Sequence, residues 1–322
     1  MTSGSASSRP WRHRALLPIL VGLGLVIGVI SSLGAPLVPL IAREERVALG
    51  AAQWTLTANL LAGAVLTPLL GRLATGEGLR RTVLTALLVC TGGTTLCVPE
   101  LGFGGLLVGR ILQGASLALL PLAIAVARFA VPPEDFPRAG ALVSVSGVAG
   151  IGLGYPVTSL VADLFGMRPA FATGAALSVL VLAAAWLVIP DRKGQPVGAV
   201  NWIGALGLAA AVGALLLGLT LLEQHWPWSL ILGVLAVALL CWWIPSQLRS
   251  AAPLVDLRLA RHSAVMRANV VVLVAGLTVY MLFTLVTQYV QAPMGGLGLS
   301  VMAAGMAVLP FSLCGLAGGR AG

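Results

Sequence analysis

Long apolar runs alternate with short polar turns over the whole chain. The runs lie at about 15–42, 53–73, 82–100, 103–128, 139–162, 170–189, 202–222, 228–244, 265–289 and 301–319. A helix rises ~1.5 Å per residue, so about 20 apolar residues cross the ~30 Å hydrocarbon core of a bilayer. The pattern predicts an all-α, polytopic membrane bundle of about ten spans. The first run is too long for a signal-peptide core of about 7–15 residues, so it is read as a retained helix. Within it Gly24, Gly28 and Ser32 recur every fourth residue and share one face, where a neighbouring helix can approach closely.

The polar turns differ in charge. With the N-terminus in the cytoplasm, the inner turns hold Arg72, Arg80, Arg81, Arg128, Arg138, Arg192, Lys193, Arg249, Arg258, Arg261, Arg267 and Arg320. The outer turns hold only Arg43, Arg46 and Arg168. Cytoplasmic loops carry the excess of Lys and Arg, so the asymmetry predicts an even number of spans with both ends inside. Trp11, Trp54, Trp186, Trp202, Trp226, Trp228, Trp242 and Trp243 all fall near expected helix ends, where an aromatic belt would sit.

Composition agrees. The chain of 322 residues is 58% hydrophobic and 9% charged, against about 25% charged in soluble domains. The net charge of +9 follows from basic inner loops and implies no nucleic-acid partner. The partners expected are the lipid bilayer and a small-molecule substrate. Cys90, Cys97, Cys241 and Cys314 lie in apolar segments, and no metal spacing or disulfide framework is present. His13, His225 and His262 all lie in turns, and no H-E-x-x-H, G-x-S-x-G or P-loop pattern occurs. The inventory therefore argues against an intramembrane enzyme or an ATP-driven pump, and no cofactor is expected.

Polar residues inside the apolar runs are the candidates for chemistry. Arg110 is the only ion in the fourth run, and an arginine at mid-membrane costs roughly 2.5–3.5 kcal/mol on insertion scales. Arg110, Gln113, Gly114 and Leu117 share one helical face, which suits a lining for a substrate path. The competing reading is that Arg110 snorkels to the headgroups. Further along, Tyr280, Thr284 and Gln288 recur every fourth residue, flanked by Thr287 and Gln291. A polar stripe of this kind faces helices or water. Asn59, Tyr155 and Thr158 are weaker candidates, because a Thr in such a helix commonly bonds its own backbone.

Three motifs carry a resemblance. The turn after the second run reads Gly71-Arg72-Leu73-Ala74-Thr75-Gly76-Glu77-Gly78-Leu79-Arg80-Arg81. It resembles the signature G-x-L-a-D-r-x-G-r-r of the major facilitator superfamily, with Thr75 at the acidic position and Glu77 two residues on. The stretch Arg110-Ile111-Leu112-Gln113-Gly114 resembles the fourth-helix R-x-x-Q-G of the same superfamily. Gly147, Gly150, Gly152, Gly154 and Pro156 are similar to the glycine-rich fifth helix of its drug exporters. Gln53-Trp54, the helix pair at about 202–244 and Pro253–Leu259 resemble the fourteen-helix drug:proton antiporter branch.

The resemblance implies a secondary carrier in the cell membrane, exporting small amphipathic or drug-like molecules by alternating access. Its conformational motif would include Gly71, Glu77, Gly78, Arg80, Arg81, Gly147, Gly150, Gly154 and Pro156. It implies a cytoplasmic tail at 1–14, a six-helix bundle at 15–190, a linker pair with its loops at 191–264, and the start of a second bundle at 265–322. Four helices of that branch would then be missing. On this expectation the chain inserts without net transport unless a second chain supplies them. The alternatives are a non-transporting fragment or an uptake carrier for a small metabolite. A proton or other coupling ion is implied by the branch alone. All ten acidic residues fall in turns or at helix ends, and the first helix carries no carboxylate.

Overall fold

The computed structural model describes residues 10–74, 78–190, 201–222, 225–251, 253–311 and 313–314, with only the backbone of 10–15. Thirteen α-helices run through these residues, and none of them is in a strand. Helix α1 (Pro10–Ser32) passes through a 3-10 turn at Ala35–Leu37 into α2 (Val38–Glu44). Gly34 and Pro36 mark this break: Pro36 opens the turn in a position where its missing N–H costs nothing. Helices α3 (Leu49–Leu73) and α4 (Leu79–Leu96) follow. The fourth span is also broken. It comprises α5 (Gly102–Gln113), a 3-10 stretch at Gly114–Ala118, and α6 (Leu119–Ala130).

Helices α7 (Phe136–Phe165) and α8 (Met167–Val188) come next, then the pair α9 (Trp202–Thr220) and α10 (Trp226–Arg249). The described chain ends with short α11 (Leu257–Ala260), α12 (Ser263–Gln291) and α13 (Val301–Ala307). Each of the ten expected runs is largely helical in its described residues, and eight segments among those residues are long and apolar enough to cross a membrane. The other two are α4, which opens on Arg80 and Arg81, and the seven-residue α13.

The tightest packing is between α1 and α7, and small residues cause it. A Cβ on Gly28 would lie 2.2 Å from the Gly150 carbonyl carbon, and one on Gly154 would lie 2.8 Å from Ser32 Oγ. Gly24 approaches Ser146 and the backbone of Gly147 in the same way. The single proton of Thr158 Oγ1 is shared between the Gly154 carbonyl of its own helix at 2.7 Å and Ser32 Oγ of α1 at 3.1 Å, so it both bonds its own backbone and meets α1. Leu20, Leu23, Val26 and Ile30 of α1 are buried among Leu87, Leu119, Leu122 and Val143 from α4, α6 and α7.

Both ends of the bundle are tied. At the end carrying Arg43 and Arg46, Arg168 bonds Glu45 at 2.6 Å and donates to the Pro99 carbonyl. The neighbouring α7–α8 turn needs a glycine: Gly166 has φ +89°, and Met167 N donates to Glu44 Oε1 at 3.1 Å. At the other end Arg80 donates to the Trp186 carbonyl at 2.6 Å. Arg72 there donates to the Pro253 carbonyl at 2.8 Å. The arginine-rich turns after α3 and after α10 therefore share one end of the molecule.

The structure corrects two sequence expectations here. Gly71 does not form a turn. It lies inside α3, and no atom stands within 4 Å of where its Cβ would be. Trp243 is no belt residue. It is 5% exposed, and its indole Nε1 donates to the Gly204 carbonyl at 2.6 Å, across the α9–α10 contact. Trp243→Phe removes that bond and part of a buried ring. It should cost about 2–3 kcal/mol, read as a drop in the thermal midpoint of the detergent-solubilised chain.

Candidate functional site

Arg110 sits eight residues into α5, roughly 12 Å from that helix's start. Asn59 in α3, Tyr155 in α7 and Tyr280 in α12 lie ten or eleven residues from the same end of their helices, roughly 15–17 Å. Four helices thus bring one polar group each to the same depth, near the middle of a ~30 Å hydrocarbon core. Together with Ser31 and Ala35 at the first-span break, they line a cavity of about 110 Å³. Its apolar walls come from Leu56 and Leu60 of α3, Leu117 of the 3-10 stretch, Ile151 of α7, and Val279 and Phe283 of α12.

The guanidinium of Arg110 is fully buried, at 0% exposure, and does not reach the headgroups. Its Nε donates to the Thr55 carbonyl at 2.9 Å and its Nη1 to Gln113 Oε1 at 2.5 Å. The Phe171 ring lies beneath it, 6.0 Å from Cζ to centroid, a cation–π distance. Nη2 makes no hydrogen bond among the described residues. Nor does Asn59 Oδ1, which is buried on the same cavity. The one ion pair among the described residues is Arg168–Glu45, so Arg110 has no carboxylate partner there.

Local sequence explains how Arg110 comes to be held. Thr55 Oγ1 donates to the Ala52 carbonyl, and the Thr55 carbonyl accepts from Arg110 Nε. Gln113 sits one turn below Arg110 and spends its amide on the two sides: Oε1 on Arg110 and Nε2 on Cys97 Sγ at 3.9 Å. Gln113 is therefore a positioning residue behind Arg110, not part of the cavity wall. Gly114 follows because nothing larger fits. A Cβ there would lie 2.6 Å from Ala62 Cβ and 2.7 Å from the Asn59 carbonyl. The backbone then tightens into a 3-10 stretch, a feature that often marks a hinge when it interrupts a longer helix.

The tyrosine stripe of α12 is only partly as expected. Tyr280 reaches the cavity, but Thr284 and Gln288 do not line it. The buried face of α12 is Phe283, Thr287, Val290 and Gln291, about one residue round from the predicted stripe. Phe283 packs edge-on against Tyr155 at 5.3 Å and against Phe311 at 5.2 Å. Gln291 Nε2 donates to the Pro36 carbonyl at 3.1 Å, so α12 also meets the first-span break beyond the cavity. Leu117 lines the cavity from the face predicted with Arg110, whereas Phe283 gave no polar signal in the sequence and Ser31 was not singled out. Gln291 was, as a flank of the stripe.

The remaining motif residues are structural in position. Gly150 and Gly154 face α1, whereas no atom lies within 4 Å of a Cβ on Gly147. Helix α7 continues through Pro156. Gly78 caps α4 and crowds the Leu73 carbonyl, 3.0 Å from its would-be Cβ. Arg81 is exposed at the start of α4. Glu77 lies outside the described residues.

Comparison with known proteins now bears on this arrangement. The Major Facilitator Superfamily model matches residues 19–202, more than half of the chain. The chain belongs to the Major Facilitator Superfamily. A multidrug resistance protein B homolog of Mycobacterium tuberculosis is 28% identical over 271 residues, covering 81% of this chain and 49% of the relative. A probable actinorhodin transporter of Streptomyces coelicolor is 28% identical over 334 residues, covering 96% of this chain and 55% of its own. The chain thus spans about half the length of the curated relatives it matches.

Among solved structures, the POT family transporter PepTSo superposes with a TM-score of 0.55 at 16% identity, covering 94% of this chain and 68% of the other. An auto-inhibited POT family peptide transporter gives 0.52 at 20%, covering 93% and 68%. These likenesses establish the fold. The superfamily is one of multi-pass membrane transporters and not of enzymes, so its partners are the bilayer and small molecules.

Proposed function

We propose that this superfamily member works in a secondary carrier that exports small amphipathic or drug-like molecules by alternating access. The observation that carries the reading is the mid-membrane cavity: α1, α3, α5 and α7 form one side of it and α12 the other. Carriers of this kind rock one bundle against another around a site near the midplane. On this reading residues 15–190 are one bundle, 191–264 hold the linker pair, and 265–322 begin the bundle that moves against the first. Arg110, Asn59, Tyr155 and Tyr280 line the path, with Gln113 behind Arg110. The contacts Gln291–Pro36 and Tyr155–Phe283 would part as the cavity opens outward. A multidrug resistance protein B homolog and a probable actinorhodin transporter among the relatives support export as the direction.

The test is accumulation of amphipathic dyes in cells stripped of their own efflux pumps, with and without this chain. Lowered accumulation that returns to control when the proton gradient collapses is expected for export driven by that gradient. Accumulation equal to the empty vector for every dye would overturn export by this chain alone and favour the alternative of a fragment that transports only with a second chain.

The proposed orientation puts the N-terminus in the cytoplasm, in the plasma membrane. In a cysteine-free background, cysteines at Glu134 and Arg261 should resist an impermeant thiol reagent in intact cells. Those at Glu100 and Leu299 should react, and the reverse pattern would invert the topology.

A further inference from the structure

We propose that the cavity at Arg110 receives the anionic head of an amphipathic monoanion, a carboxylate or a group of like charge. The inference rests on the carrier reading above and narrows its substrate class. A buried guanidinium needs a counter-charge, because taking an ion out of water is costly unless it is paired. Arg110 is 0% exposed and has no carboxylate partner among the described residues. The titratable groups whose fields reach it are Cys97, Tyr155, Tyr280 and Cys90, thiols and phenols that carry no charge at neutral pH by their reference values. Phe171 offers a ring face, a weaker partner than a carboxylate.

The donors say where the anion would sit. Nε and Nη1 are committed to Thr55 and Gln113, which fixes the plane of the guanidinium. Nη2 is left over, beside the first-span break, 3.5 Å from where a Cβ on Gly34 would lie. Asn59 Oδ1 is a second unpaired buried atom on the same wall, an acceptor suited to a hydroxyl or a protonated group next to the anion. The rest of the wall is apolar, and at about 110 Å³ the cavity takes the head and the first carbons of such a molecule, so its hydrophobic body enters only as the bundles part. An amphipathic cation finds no opposite charge here and is repelled by Arg110.

The test uses the full chain in phosphatidylcholine nanodiscs and three fluorescent probes of one shape: pyrenebutyrate, pyrenebutanol and pyrenebutyl-trimethylammonium. The butyrate should bind saturably at one site, at least tenfold tighter than the alcohol, and the ammonium should not saturate. Arg110→Gln should weaken the butyrate at least tenfold. Asn59→Asp, which puts a carboxylate of the chain's own on the same cavity, should do the same while the thermal midpoint holds. The ammonium binding as well as the butyrate would overturn the proposal, as would unchanged butyrate affinity in both variants. Displacement of the probe by phosphatidylglycerol in the disc would assign the site to a lipid headgroup and also overturn it. The two readings fail separately. Dye export without butyrate binding removes the anion site and keeps the carrier, whereas saturable butyrate binding without flux of any probe keeps the site and removes the carrier.

Discussion

Gly28→Val should abolish the folded state of the chain, seen as loss of the monodisperse peak when detergent-solubilised protein is run by size exclusion. The new Cβ would stand 2.2 Å from the Gly150 carbonyl carbon and 2.3 Å from Ile151 N. Both are backbone atoms, so no side chain can swing aside. Overpacking a core costs about 1–3 kcal/mol where side chains can shift, and more where a backbone must move. Here α1 and α7 would have to part along their length. Their separation would break Thr158–Ser32 and loosen the cluster of Leu20, Leu23, Val26 and Ile30. In a membrane the loss is not recovered by hydrophobic collapse, because lipid tails are as apolar as leucine and helix association rests on close packing.

Gly92→Ala is the matched control. Gly92 lies in α4, and no atom stands within 4 Å of its would-be Cβ. Alanine there should leave the midpoint unchanged or raise it, since glycine costs a helix interior about 1 kcal/mol relative to alanine. If Gly28→Val matches wild type in stability, α1 and α7 do not approach as closely as described.

What the sequence revealed, and what it hid, follows from the solvent. Span positions were legible because about 20 consecutive apolar residues have few other uses. The glycine stripe of α1 was legible because small residues at every fourth position have a geometric meaning whatever surrounds them. Its partner stripe on α7 was partly misread. Gly147 was grouped with Gly150 and Gly154 by the resemblance, but its Cβ direction points into open space. The face of α12 was off by about one residue for a deeper reason. In water a helix announces its buried side through polar residues on the other, whereas in lipid both sides are apolar and periodicity loses its contrast. Only Tyr280 of the predicted stripe reached the cavity, while Phe283, indistinguishable in kind from its lipid-facing neighbours, packs on Tyr155. The 3-10 stretches at Ala35–Leu37 and Gly114–Ala118 were hidden too, since apolar runs continue through a change in hydrogen-bond pattern. Gly34-Ala35-Pro36 was the available signal for the first.

Arg110→Met should abolish export while leaving the chain folded, with a thermal midpoint equal to wild type or higher. Two effects oppose each other in the folded state. Removing the guanidinium leaves the Thr55 carbonyl and Gln113 Oε1 without their donor, at about 1–3 kcal/mol for a buried unpaired group. It also removes a fully buried charge with no carboxylate partner among the described residues, and relieves the desolvation penalty of that ion, which is on the order of several kcal/mol. Met fills much of the same volume and adapts to irregular space. The stability terms therefore nearly cancel, and the effect that remains is on the substrate path. Arg110→Lys keeps the charge and three N–H donors, but all three leave one nitrogen, so they cannot reach Thr55, Gln113 and the cavity as the spread donors of a planar guanidinium do. It should recover less than about a tenth of wild-type export. The measurements are dye efflux at matched membrane abundance and the thermal midpoint in detergent. A large loss of midpoint in Arg110→Met would make the arginine a structural clamp for α3 and α5. Undiminished efflux would remove it from the path altogether, and with it the reason for an uncompensated charge at this depth.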